Sequence, residues 1–352
     1  MQGALANVFD LRLNGLNAVR LGLALSVIVW HSFVLSGSGI AFAPLRQLFE
    51  QLGVDGFFAI SGYLIVSSWK RDPSWFRYLA ARVLRIFPAF WVVLIVTAFA
   101  IAPVATMAVT GMSYTQVISF ENVTYVLKNL GLVILQERIG DTPTGVPFTA
   151  AWNASLWTLD WEFLCYLGVM TLGLLRLLRY RATVPTLFGC FLVLVVLTSY
   201  GPIDNPYVGY VARFGIMFSA GMLIQQVAGR LKLNWWLLFI ALVLTLGALF
   251  LPNYRLVGAL PWAYTMIGLG ALIKVPVLRL KNDISYGTYI YAAPLQQLLA
   301  SCGVIALGVP IFALFSVAVT LVPATASWFA IERNALKLRP RRRVEARAQA
   351  VG

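Results

Sequence analysis

The sequence predicts an all-α integral membrane protein of about ten transmembrane helices with both termini in the cytoplasm, and three observations predict it. Of its 352 residues, 60% are hydrophobic and 11% charged, a make-up that would expose more apolar surface than water tolerates in a soluble domain. Apolar runs of about 17 to 25 residues, long enough to cross the hydrocarbon core, recur along the whole chain. With the amino terminus inside, most of the 27 Lys and Arg residues fall on the cytoplasmic side, as the positive-inside rule requires.

The runs lie near 14–36, 46–68, 86–109, 154–176, 184–200, 207–228, 234–251, 256–274, 284–302 and 306–330. The first carries Arg20 and His31 and has no small-residue cleavage site after it, so no removable leader is expected. The second, GVDGFFAISGYL, places Asp55 near its outer end and Ser61 and Gly62 deeper, with glycines that permit close helix approach. Before the third run, Arg77–Pro88 alternates arginines with apolar residues at helical spacing and is expected to lie along the headgroups. The external connection 110–153 holds a half-apolar stretch around Val123–Leu135 that reads as a re-entrant or interfacial helix.

The fourth run, SLWTLDWEFLCYL, enters from outside carrying Asp160 and Glu162. Arg213 lies in the sixth, and Tyr286, Tyr289 and Tyr291 in the ninth are either bundle lining or an interfacial belt. Cys165, Cys190 and Cys302 sit in apolar runs without metal-ligand spacing and read as small buried hydrophobes. A transmembrane domain over 1–335 is thus followed by a basic cytoplasmic tail over 336–352. The net charge of +14 is spent on topology, so the expected partners include membrane lipids and not nucleic acid. No metal is expected, and oligomeric state is not legible.

An ionisable side chain inside a membrane helix is costly enough to point to function. Arg20 and His31 are eleven residues apart, so they share nearly one helix face, separated by roughly 16 Å along the axis. One stripe carries a cation on the inner half and the chain's single histidine on the outer half. Asp55, Asp160 and Glu162 lie at a similar outer depth. Such a group can orient an imidazole that takes a proton from a hydroxyl. It can equally relay protons in a secondary transporter, or Arg20 can snorkel to the headgroups while His31 caps a neighbouring backbone.

Four motifs occur in order: Arg20 and His31 in an Arg-x10-His pairing; a glycine-rich block over Gly53–Gly62; Arg82, Arg85 and Pro88 in R-x-x-R-I-x-P; and Trp157, Thr158, Leu159 and Glu162 in W-[ST]-L-x-x-E. In this the chain resembles the acyltransferase-3 family of bacterial membrane acyltransferases, from about Leu16 to Arg333. The family's late S-Y-x-x-Y-L-x-H-x-P motif is present as Ser285, Tyr286, Tyr289 and Pro294, with Ala292 where the family has histidine.

The resemblance implies a bacterial inner-membrane enzyme moving an acyl group, commonly acetyl, from cytoplasmic acyl-coenzyme A to a hydroxyl of an envelope glycan or lipid-linked sugar. The chain ends soon after its last apolar run, so transfer is expected to finish in the membrane domain or with a separate partner. Arginine forks bind phosphate bidentately, so Arg20, Arg82 and Arg85, with Ser61 and Tyr286, are the expected donor-binding residues. His31 is the expected general base, oriented by Asp55 or Glu162. Trp157, Asp160 and Tyr63 are the expected acceptor-binding residues. The rival expectation is a proton-coupled carrier of an anionic or sugar substrate, which inverted repeats would favour.

Overall fold

A computed structural model of the chain describes residues 3–10 and 13–340. Arg12 and most of the expected basic tail, with Arg341, Arg342, Arg343 and Arg347, lie outside the described residues. The long helices are α1 (Leu16–Leu35), α2 (Ala43–Arg71) and α3 (Trp75–Thr110), then a short α4 (Phe120–Lys128) and α5 (Thr158–Leu174). They continue as α6 (Thr183–Ser199), α7 (Pro206–Val227), α8 (Trp235–Ala248), α9 (Arg255–Leu272), α10 (Ser285–Ser301) and α11 (Val309–Lys337).

Helices therefore form at every predicted apolar run, and the chain is nearly all α. Five of them, α1, α2, α3, α7 and α11, are long and apolar enough to cross a membrane. The others are shorter or less apolar because loops and caps claim the ends of the runs. Asn234 illustrates this, since its side chain accepts from the Leu237 amide and starts α8 with only 14 residues left in the helix. Two-residue strands Gly3–Ala4 and Lys232–Leu233 pair antiparallel and tie the N-terminal segment to the connection between α7 and α8.

Arg77–Pro88 does not form a separate surface helix. It is the opening of the 36-residue α3, in which a π-helical turn at Thr97–Ile101 lets the backbone continue between Pro88 and Pro103. Around Val123–Leu135 the expected helix stops at Lys128. Beyond it Asn129 organises an irregular loop, accepting from the Leu135 and Gln136 amides and donating to the Gln136 carbonyl.

The core lies where α1, α2, α7, α9 and α10 meet. The α2–α7 crossing is backbone on backbone: a Cβ at Gly62 would fall 2.0 Å from the Phe218 carbonyl oxygen, and one at Gly221 1.9 Å from that of Ala59. Only glycine allows this approach. On the other side of α1, Gln296 of α10 donates to the Ile28 carbonyl and to Ser32 Oγ. Gln297 donates to the carbonyls of Phe148 and Ala151, pinning the long loop before α5 onto α10.

Two sequence expectations change here. Cys190 and Cys302 are exposed on the helix bundle, and only Cys165 is partly buried, because a cysteine in an apolar run serves as well on a lipid-facing side as in the core. Tyr286, Tyr289 and Tyr291 are all buried, so the interfacial belt is excluded and they line the interior.

Candidate active site

At the end of the bundle that the charge pattern predicts to be cytoplasmic, α1, α3 and the segment after α11 bring guanidinium groups to one crevice. Arg20 on α1 and Arg85 on α3 both reach Asp283 Oδ2, at 2.7 and 2.6 Å. Arg85 also meets Glu332 at 3.3 Å and lies over the rings of Tyr286 and Trp328. Glu332 is placed by a π-helical turn, Trp328–Glu332, near the end of α11, a distortion frequent at functional sites.

Asp283 sits in the loop before α10. Burial alone would raise its carboxyl, but Arg20, Arg85 and hydrogen bonds from Ser285 outweigh that and hold it down to about 2. It is therefore an anion at any physiological pH. Arg82 stacks on Tyr78 at 5.0 Å and on Tyr166 at 5.8 Å, and its Nε is buried with no hydrogen-bond partner among the described residues. These arginines and Arg339 line a cavity of about 260 Å³, where a phosphate-bearing ligand would find charge and an unused donor.

Deeper in, Arg20 also borders a narrow cavity of about 30 Å³ with Phe57, Thr158, Glu162, Tyr286 and Tyr289. Glu162 accepts from Ser61 Oγ at 2.7 Å and from the Tyr166 hydroxyl at 2.5 Å. Tyr286 donates to the Ile86 carbonyl, tying α10 to α3. Thr158 and Tyr289 share a hydroxyl hydrogen bond across the cavity. Three residues before Thr158, which donates to its carbonyl, Ser155 places Oγ 3.4 Å from His31 Nδ1.

The structure places Arg20, Arg82, Arg85 and Ser61 on the larger cavity and Arg20, Glu162 and Tyr286 on the narrow one, with Arg20 common to both, and it separates the other expected carboxylates and aromatics from them. Asp55 does not orient His31. It is claimed by Arg213 at 3.1 Å, by Arg255 at 2.6 Å and by the Tyr254 hydroxyl at 2.6 Å, since a fully buried carboxylate is stable only where cations and donors surround it. Glu162 likewise has no hydrogen bond to His31. Asp160 accepts from the Trp161 amide. Trp157 joins Trp161, Tyr210 and Phe214 in an aromatic cluster, whereas Tyr63 packs edge-on against Phe9 and is no part of it.

Four residues of the site escaped the sequence reading: Asp283, Glu332, Arg339 and Ser155. Glu332 had a signal, a carboxylate at the end of the last apolar run. Asp283 lies two residues before Ser285, and its partner Arg20 is 263 positions away, beyond the reach of spacing rules.

Known proteins share this arrangement of sequence. A family model described as an acyltransferase domain matches residues 13–328. The chain is 26% identical over 345 residues to an O-acetyl transferase of Shigella phage Sf6, covering 92% of this chain and 96% of that protein. It is 28% identical over 320 residues to nodulation protein 10 of Rhizobium leguminosarum bv. viciae, covering 83% of this chain and 84% of that one. No solved structure matches.

Proposed function

We propose that this chain, which belongs to the acyltransferase-3 family, is an O-acyltransferase that moves an acyl group, acetyl in the first instance, from cytoplasmic acyl-coenzyme A to a hydroxyl of an envelope polysaccharide or lipid-linked sugar. The observation that carries the reading is the arginine crevice, whose Arg20 also borders the narrow cavity that ends on Thr158, a residue hydrogen-bonded to the Ser155 carbonyl beside His31. Arg20, Arg82 and Arg85 take the phosphates of the donor. Its thioester arm runs along the narrow cavity past Glu162 and Tyr289. The roughly 16 Å between Arg20 and His31 along α1 is what separates a phosphate anchor from a reacting carbonyl.

His31 is the general base of this reading. The imidazole takes a proton from the acceptor hydroxyl, the oxygen adds to the acyl carbonyl, and the group that leaves receives that proton. All ten long helices, α1 to α3 and α5 to α11, cross the bacterial cytoplasmic membrane in this reading, with both ends inside. The donor then enters from the cytoplasm, and the aromatic cluster of Trp157, Trp161 and Tyr210 faces the acceptor's side, where a sugar ring stacks well on indole and phenol faces.

The test compares envelope glycans, by mass spectrometry, from cells with the gene, without it, and with His31→Ala at equal expression. Acyl groups present only with the wild-type gene support the reading. Acylation unchanged by His31→Ala removes the imidazole from the chemistry, and glycans unchanged by loss of the gene remove the acceptor class.

A further inference from the structure

We propose that Ser155 is the nucleophile that first receives the acyl group, so that transfer proceeds through an acyl-serine and not in one displacement. The inference rests on the acyl-coenzyme A reading above and deepens it.

Ser155 Oγ lies 3.4 Å from His31 Nδ1, and this is its only hydrogen bond among the described residues. A hydroxyl beside an imidazole is the arrangement that activates a serine, and such bonds are commonly long before substrate binds. Both groups are buried, Ser155 to 1% and His31 to 8% exposure. Most polar side chains nearby are occupied in holding helices: Ser32 bonds its own helix and receives Gln296, and Thr158 bonds Tyr289 and the Ser155 carbonyl. Ser155 holds no helix. Its position is fixed for it by Asn153, which accepts from the Ser155 amide at 3.2 Å and donates to the Ile290 carbonyl at 2.8 Å.

The nearby cavity comes within one hydrogen bond of the pair, since Thr158 in its wall donates to the Ser155 carbonyl. A donor and an acceptor that enter from opposite sides can then use the pair in turn, and a covalent intermediate separates their visits.

In the first half, His31 Nδ1 takes the Ser155 proton as Oγ adds to the thioester carbonyl. The carbon–sulfur bond breaks, the sulfur receives the proton from His31, and free coenzyme leaves. In the second half, His31 takes a proton from the acceptor hydroxyl, whose oxygen adds to the serine ester. The bond to Oγ breaks, Oγ recovers the proton, and the acylated acceptor departs.

The test needs no acceptor. Membranes holding the full wild-type chain are incubated with acetyl-coenzyme A and isotopically labelled free coenzyme A. Label appearing in acetyl-coenzyme A, with an acetyl group on the Ser155 peptide by mass spectrometry, supports the inference. Ser155→Ala should lose exchange by about a hundredfold or more. Ser155→Cys should retain the adduct as a hydroxylamine-sensitive thioester. Wild-type membranes that acetylate their glycan without exchange or adduct overturn the acyl-serine and leave the enzyme reading intact. Wild-type membranes that consume no acetyl-coenzyme A in the presence of glycan overturn both.

Discussion

Arg20 and Arg85 converge on a single oxygen of Asp283, from helices far apart in the chain, at 2.7 and 2.6 Å. Two cations on one carboxylate oxygen leave the crevice net positive, and the carboxylate sets where the positive charge sits. Removing it exposes two poorly solvated guanidinium groups to each other, and breaking such a pair from one side costs about 3–5 kcal/mol. Asp283→Ala is therefore expected to lower the thermal stability of the detergent-solubilised protein markedly, as read by a thermal-shift scan. A midpoint within a degree or so of wild type would show that the triad is not structural.

The same carboxyl gives a signed pH dependence. Its folded value, about 2, lies below the ordinary 3.8. The stability it contributes is complete above the ordinary value and is lost as the pH falls toward 2, an effect on the order of 2 kcal/mol. Between pH 8 and 5 the group contributes no slope. Thermal scans from pH 5 to 3 should therefore fall more steeply for wild type than for Asp283→Asn, and parallel curves would contradict the assignment.

Arg82, like Arg339, shows no ion pair with a carboxylate among the described residues, and it is held on the rings of Tyr78 and Tyr166 with Nε unpartnered. Its unpartnered Nε leaves a donor available to a donor phosphate. A charge-assisted contact is worth about 1.5–3 kcal/mol, so Arg82→Ala should raise KM for acyl-coenzyme A by about ten- to a hundredfold with kcat little changed. Arg82→Lys should rescue only in part, because an ammonium neither stacks nor forks. An unchanged KM in initial-rate assays would take Arg82 out of donor binding.

The α2–α7 crossing admits no side chain at Gly62 or Gly221. The obstacle at each is a carbonyl oxygen of the facing backbone, which cannot rotate away, so Gly221→Ala should cost about 1–3 kcal/mol or more. A methyl group at Gly22 on α1 would meet nothing within 4 Å, and Gly22→Ala is the matched control. Monodisperse folded protein on size exclusion is expected for Gly22→Ala and diminished for Gly221→Ala. Equal yields would refute the tight crossing.

The sequence made the costly polar groups of the bundle easier to single out than the partners they touch. Arg20, Arg82, Arg85, Glu162 and His31 stood out because charge within or beside an apolar run is rare and expensive, and helical spacing put Arg20 and His31 on one face. Spacing says nothing about which helix that face meets. Asp55 and His31 share a depth, yet α2 turns Asp55 toward α7 and α9, where Arg213 and Arg255 take it. Asp283 lies in a short polar loop with no periodicity, and Ser155 is an ordinary serine until the fold of residues 153–158 sets it against the imidazole.

Ala292 bears on whether one imidazole suffices. It stands where the family's late motif carries histidine, and it is fully buried, as are Ile290 and Ala293 around it on α10. A ring in place of that methyl must displace packed neighbours, and overpacking typically costs about 1–3 kcal/mol. Ala292→His is therefore expected to lower the yield of folded protein and to leave acyl transfer no higher than wild type. The sharper comparison is His31→Ala combined with Ala292→His. If His31 with Ser155 forms the reacting pair, an imidazole on α10 has no hydroxyl aimed at it and the double variant stays inactive in glycan acylation. Recovery of acyl transfer would mean that the site accepts a base from α10, and the reacting carbonyl would then have to be placed nearer Tyr289 than Ser155.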